Sequence, residues 1–302
     1  MSAQQVQRRR AGPDRPDQLS PERRARLPNL IVIGAAKAGT TSLHTYLDAH
    51  PEIGMSRIKE LNFFDRSDCF DRLDWYLDQF DPDCKIRGES SPNYTKSPRF
   101  TGQPERIHSL IPSARLIYLV RDPVDRSIAH WAHNVAAGEE SRPFEEALVD
   151  PDPGNTYLCA SRYATQLNRY LEHFSQDQIL VLDQHRLLHR RDDAINQVFR
   201  FLDVRDDFSS PEFDRELNSR RDQRRLTGPG RSLLRSAPAS ALRLLPPRVR
   251  QPLRFAARRG LSRRVRRPPV TPAVRARLEV VFEPEANRLR EITGQRFESW
   301  SV

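Results

Sequence analysis

The stretch Pro28-Asn-Leu-Ile-Val-Ile-Gly34-Ala-Ala-Lys37-Ala-Gly39-Thr40-Thr41-Ser42-Leu43 runs from an apolar segment through a glycine-bounded loop into a helix start, and it decides the fold. Leu30 to Ile33 are aliphatic and mostly β-branched, as in a strand buried on both faces of a parallel sheet. Gly34 and Gly39 allow a tight turn. Thr40, Thr41 and Ser42 begin a helix whose first N–H groups have no intrahelical acceptor and point back into the loop. Dipole and donors together favour an anion there. A Walker loop reads G-x-x-x-x-G-K-[ST], and here Thr40 fills the lysine position. The one lysine of the loop, Lys37, comes three residues earlier. A displaced cation beside three hydroxyls suits a 5′-phosphate that acts as leaving group better than a magnesium-bound triphosphate.

Working outward, apolar runs alternate with helical patterns at βαβ spacing. Strands are expected at Leu30–Ile33, Ile86–Glu89, Arg115–Val120 and Gln178–Leu182. Helices are expected at Thr41–Ala49, Leu73–Phe80, Pro104–Leu110, Pro123–Ala137, Tyr157–Phe174 and Asp193–Leu202. Near the end, Val274, Leu278, Val281 and Phe282 share one helical face, and Pro284 is expected to open a second helix. The pattern predicts an α/β fold, P-loop-like, with three α/β/α layers around a central, mainly parallel sheet. Ligands then belong at the carboxyl ends of the strands.

The chain of 302 residues and 35.0 kDa is long enough for one large domain, expected over residues 28–302. Residues 1–27 read as a disordered, Arg- and Pro-rich tail with no apolar run like that of a signal peptide. Three cysteines, Cys69, Cys84 and Cys159, form no C-x-x-C pair, so neither a disulfide framework nor a zinc site is expected and a reducing, cytoplasmic setting is. The net charge of +10 suggests a nucleic-acid binder until it is located. Sixteen arginines fall between residues 223 and 280; without them 34 basic residues face 40 acidic ones, a balance of about −6. The basicity belongs to one Arg/Pro/Leu-rich segment at about 223–272, not to the fold. That segment admits a solvated face, a lid that gives the cofactor an arginine, or a patch for peripheral contact with an anionic membrane; no nucleic-acid partner is expected.

The run Lys37-x-Gly39-Thr40-Thr41-Ser42-Leu43, followed by Asp48-Ala-His50-Pro51, resembles the 5′-phosphosulfate loop of sulfotransferases that use 3′-phosphoadenosine-5′-phosphosulfate (PAPS), nearest to their heparan-sulfate-type branch and of bacterial type. The resemblance implies a cradle for the 5′-phosphate from the backbone of Ala38, Gly39, Thr40, Thr41 and Ser42 and from the three hydroxyls, with Lys37 neutralising the departing oxygen. Only four of the 50 basic residues are lysines (Lys37, Lys59, Lys85, Lys96), so a compact ammonium was retained where arginine is the default.

Lys59-Glu60-Leu-Asn-Phe63-Phe64 is similar to the family's K-E-x-x-F-F segment, which makes Glu60 the expected catalytic base, its pKa raised by apolar neighbours. On local sequence alone Glu60 is equally a partner for Lys59, and His130 is a rival base. Arg121-Asp-Pro123-Val-Asp-Arg126 resembles the 3′-phosphate motif, with Arg121 as a bidentate clamp. The serine of that motif is replaced by Ala129, and Ser127 would face the other way; Arg126 or a group from elsewhere must compensate. Gly88-Glu89-Ser90-Ser91-Pro92-Asn93-Tyr94 resembles the acceptor-side loop without its lysine near Ser90, which argues against heparan itself. Tyr163 matches a tyrosine near the cofactor, and Arg224 and Arg225 stand where relatives supply a basic cofactor loop.

The resemblance therefore implies sulfuryl transfer from PAPS, without a metal, to a hydroxyl or amine of a carbohydrate, glycolipid or small metabolite. Two other function classes compete. A P-loop kinase or NTPase would need the missing Walker lysine and magnesium. An anionic-surface binder would act through the Arg-rich segment and survive loss of Lys37.

Overall fold

In the computed structural model the chain is described at Pro16, residues 19–150, 152–214 and 270–302, and as backbone alone at 224–226 and 262–264. Five strands form the central sheet: β1 (Leu30–Gly34), β2 (Ile53–Met55), β3 (Ile86–Ser90), β4 (Arg115–Val120) and β5 (Ile179–Asp183). They lie in the order β2-β3-β1-β4-β5, every pair parallel, with Leu30 opposite both Gly88 and Arg115. Every residue of β1 and all but the first of β4 are buried, so helices cover both faces. Burying each of Ile31, Val32 and Ile33 contributes about 1.5–3 kcal/mol.

The helices are α1 (Pro21–Ala25), α2 (Thr40–Asp48), α3 (Leu73–Leu77), α4 (Gln103–Leu110), α5 (Pro123–Ala137), α6 (Phe144–Val149), α7 (Thr156–Cys159), α8 (Tyr163–Leu171), α9 (Gln184–His189), α10 (Arg191–Leu202) and α11 (Pro272–Thr293). The sheet and its flanking helices share one core. A second, smaller one joins α5, α6, α7 and α11 through Ile128, Trp131, Phe144, Leu148, Tyr157, Leu278 and Phe282.

The four expected strands are present, and the structure adds β2. Its three residues, with Gly54 between Ile53 and Met55, are too few to show an alternation, and only pairing with β3 makes them a strand. The expected helix over Tyr157–Phe174 is two helices. Asn155 caps α7, and the chain breaks before α8 where the Ser161 hydroxyl receives the Nε donor of Arg126 at 2.5 Å. Pro284 opens no second helix; α11 runs through it. Val280, whose carbonyl Pro284 cannot serve, lies on the exposed side at 72%, where water can take the bond.

Part of the stretch expected to be a tail is ordered. Ser20 caps α1, Leu19 and Leu27 are buried in the main core, and Asp74 pairs with Arg23 at 2.7 Å. Most of the Arg-rich segment, including any membrane-facing patch, lies outside the described residues. Within it strands β6 (Arg224–Leu226) and β7 (Ser262–Arg264) pair antiparallel, with the backbone of β6 beside α5.

Candidate active site

Five parallel strands bring five loops to one end of the sheet. Between β3 and β4 the chain crosses from one side of β1 to the other, and this switch point opens a crevice over the β1 end. The loop after β1 leaves the sheet with the Ala35 N–H donating to the Leu119 carbonyl at 2.6 Å and the Ala38 N–H donating to Ala35 at 3.1 Å. Lys37 and Gly39 both take positive φ, 72° and 103°, and only the second is a glycine. A side chain at Gly39 would also crowd the Gln184 amide at 3.2 Å. Close approach explains Gly34 as well, because a Cβ there would sit 2.0 Å from the Thr95 hydroxyl.

Helix α2 starts at Gly39 with no side-chain cap and no acidic residue in its first turn. The first-turn N–H groups thus meet the loop without a competing carboxylate, the polarity an anion needs. The Thr40 and Ser42 side chains are buried against the loop, and Thr41 is half-buried. Of the expected donors, the Ala38 N–H is already engaged in the turn to Ala35. Lys37 reaches α5, its ammonium 3.4 Å from Nδ1 of His133. Burial, then Lys37 and Lys96, push the His133 pKa down, so its neutral ring accepts from the ammonium.

Glu60 stands on the loop after β2, its N–H donating to the Ser90 carbonyl at 3.1 Å, which ties that loop to the β3 end. Its backbone takes φ 64°. The expected apolar burial of its carboxylate is not found. Phe63 and Phe64 turn inward, Phe63 stacking on Tyr76 at 3.9 Å, while the Glu60 side chain stays 50% exposed and pairs with Lys59 at 2.6 Å. A short loop that must face solvent cannot also bury its polar residue, so the aromatics and the carboxylate part company.

The carboxylate that is desolvated is Glu89, fully buried under the same loop. Burial pushes its pKa up to about 7, against hydrogen bonds from Tyr76 at 2.6 Å, Ser91 at 2.7 Å and Tyr94 at 3.2 Å. Above it, His44 contacts the Ser90 hydroxyl at 3.1 Å, and burial together with Lys59 lowers its pKa to about 4. The rival base His130 is buried in α5, its ring against Tyr157 and its Nδ1 3.4 Å from Arg126. Burial, then Arg126, depress its pKa strongly, and it faces no open space.

Arg121 ends β4 and is held by Asp125 at 2.9 Å, an acid that also takes Arg275 at 3.4 Å. That ion pair orients the guanidinium, whose side chain is 11% exposed. Arg126 does not compensate for Ala129. It is 0% exposed and turns into the protein, donating to the Tyr157 carbonyl at 2.6 Å and approaching the Ala36 carbonyl at 3.5 Å. Ser127 donates back to Val124 and is equally unavailable. Tyr163, expected near the cofactor, has its ring 1% exposed and packed against Tyr118 and Trp300. The side chains of Arg224 and Arg225 lie outside the described residues. Reading motifs missed Lys96, His44 and His133, each of which Glu60 acts on electrostatically; a lysine amid 46 arginines was the available signal for the first.

The family profile of the sulfotransferase domain matches residues 27–220. The chain is 28% identical over 207 residues to a bifunctional heparan sulfate N-deacetylase/N-sulfotransferase of Drosophila melanogaster, covering 59% of this chain and 20% of that protein. It is 29% identical over 199 residues to enzyme 3 of the same name from Homo sapiens, covering 59% and 22%. It therefore spans about a fifth of the length of these curated relatives. A sulfotransferase from Alicyclobacillus acidocaldarius shares the fold, with a TM-score of 0.64, 22% identity, and coverage of 91% of this chain and 99% of that one. With the loop, the strand-end carboxylate and the β4 arginine in the order described, the chain belongs to the sulfotransferase domain family.

Proposed function

We propose that this chain moves a sulfuryl group from PAPS to a hydroxyl, or an amine, of a carbohydrate, glycolipid or small metabolite. The observation that carries the reading is that the loop after β1 and the Glu60 loop, tied to the β3 end, lie near one another, Lys37 and Glu60 both acting on His133. The loop and first turn of α2 would hold the 5′-phosphate, and Arg121, with Arg224 or Arg225 from the strand beside α5, would hold the 3′-phosphate. Glu60 would accept the proton of the acceptor while Lys37 neutralises the oxygen that leaves. A half-exposed carboxylate is open to an incoming acceptor, which a buried one is not. The curated relatives are named as heparan sulfate N-sulfotransferases; the absence of a lysine near Ser90 supports a different acceptor. Three free cysteines support a reducing, cytoplasmic setting.

Incubation with PAPS and a panel of glycans, lipids and phenolic metabolites, scored by release of 3′-phosphoadenosine-5′-phosphate (PAP), tests the reading. Turnover without magnesium is expected. Failure of PAP to bind at millimolar concentration would overturn it, and phosphoryl transfer from ATP in the presence of magnesium would favour the kinase instead.

A further inference from the structure

Lys96 follows the 3₁₀ turn Pro92–Thr95, and that turn is clamped. The Tyr94 carbonyl accepts from the Tyr170 hydroxyl at 2.9 Å, the Ser97 N–H and carbonyl are both taken by the Gln166 amide at 3.2 and 2.8 Å, and the Thr95 side chain presses on Gly34. The backbone of Lys96 is thereby fixed beside the start of the phosphate loop. Its side chain is half-buried, and among the described residues its ammonium has neither hydrogen bond nor ion pair.

The charges around it are of both signs, with the cationic ones acting more strongly. Arg126 acts on it most strongly, then Arg99, with Glu60 and Asp65 opposing; Lys96 in turn acts on His130 and His133. The ammonium is thus within electrostatic reach of Glu60 and of His133, the residue that Lys37 contacts. Burial and Arg126 lower its pKa to about 8. A rigidly mounted, partly desolvated cation with two arginines acting on it and no hydrogen-bonded counter-ion among the described residues is arranged for an anion.

We infer that Lys96 is a further catalytic residue, an ammonium that binds the sulfuryl group in transit from the β3 side of the crevice. The inference rests on the sulfuryl-transfer reading. In the step, the bond from sulfur to the bridging oxygen breaks and leaves its electron pair on that oxygen beside Lys37. A bond from the acceptor oxygen or nitrogen to sulfur forms, and the acceptor's proton goes to Glu60. Lys96 exchanges no proton; it donates hydrogen bonds to the non-bridging sulfuryl oxygens, where charge is held throughout.

PAP lacks the sulfuryl group, so the two nucleotides separate this role from general nucleotide binding. Calorimetric titration of the full chain with PAPS and with PAP, without acceptor, is the test. Lys96→Met is expected to bind PAP within about twofold of the wild type and PAPS about tenfold more weakly, with Lys96→Arg recovering part of the loss. At pH 8, in buffers of different ionisation enthalpy, PAPS binding to the wild type takes up protons and binding to Lys96→Met does not. Unchanged affinity for both nucleotides, or equal loss of both, overturns the inference. Lys96→Gln replaces Lys96→Met in the same comparison if the latter unfolds. A wild-type chain that binds neither nucleotide defeats the underlying reading instead.

Discussion

The Lys37 ammonium stands 3.4 Å from Nδ1 of His133, so the cation of the phosphate loop is steered by a neutral imidazole on a different element. The loop curls through a positive φ at Lys37, and the histidine gives the long side chain one preferred direction. His133→Ala is expected to lower turnover by about tenfold to a hundredfold through misplacement of the cation, with the unfolding midpoint little changed. Because burial and Lys37 hold the His133 pKa below the ordinary histidine value of about 6.5, the imidazole turns cationic only in acid and then repels Lys37. His133 should add a component to the acid limb of the rate profile below that value, and the variant should lose that component.

Loss of the chemistry should come without loss of the fold at half-buried Lys37 and exposed Glu60. Lys37→Ala is expected to reduce turnover by about 10²–10³-fold and Glu60→Gln by about 10²–10⁴-fold. Circular dichroism and thermal unfolding should match the wild type, since the Lys59–Glu60 pair is solvent-screened and worth at most about 1 kcal/mol. Steady-state PAP release measures both.

Glu89 sets a pH dependence of stability. Its folded pKa of about 7 lies above the ordinary carboxylate value, so the folded state holds the proton more tightly than the unfolded one. The contribution is full below about pH 4.5 and is lost as pH rises through 7, an order-of-magnitude change of about 3 kcal/mol. Urea unfolding of Glu89→Gln at pH 5.5 and 8 should show a smaller difference between the two pH values than the wild type shows.

Arg126→Met should be among the costliest substitutions in the described residues. It removes donors from the Tyr157 carbonyl, the Ser161 hydroxyl and the Ala36 carbonyl at once. Each orphaned buried group costs about 1–3 kcal/mol, partly offset by the cation no longer being buried. A fall in the unfolding midpoint of about 5 °C or more is expected. Arg126→Lys should recover little, because one ammonium cannot span three acceptors.

The phosphate loop was legible because three local signals coincide there: an aliphatic strand, two glycines with separate steric duties, and a hydroxyl-rich helix start. The position of Arg121 was legible for a similar reason, just past a buried strand and before a helix-starting proline. Glu60 was readable as a position, but not in its environment, since a sequence does not say whether Phe63 and Phe64 fold toward or away from their neighbour. Lys96 and His133 were not readable. Which way a lysine swings after a 3₁₀ turn depends on Gln166 and Tyr170, dozens of residues away, and His133 gains its partner only when β1 and β4 lie side by side. The broken helix at residues 160–162 follows from the same kind of contact, Ser161 with Arg126.

The guanidinium of Arg126 lies wholly out of water against the Ala36 carbonyl. Dissolved ions cannot gather around it as they do around Lys59 or Arg57, so its pull on an anion in the loop is not weakened over a Debye length. The crevice thus carries two kinds of attraction. One, from surface cations, governs how fast an anion arrives and fades in brine. The other comes from beneath and persists, so an enzyme of this design should keep its grip on a bound donor at salt concentrations that slow its capture.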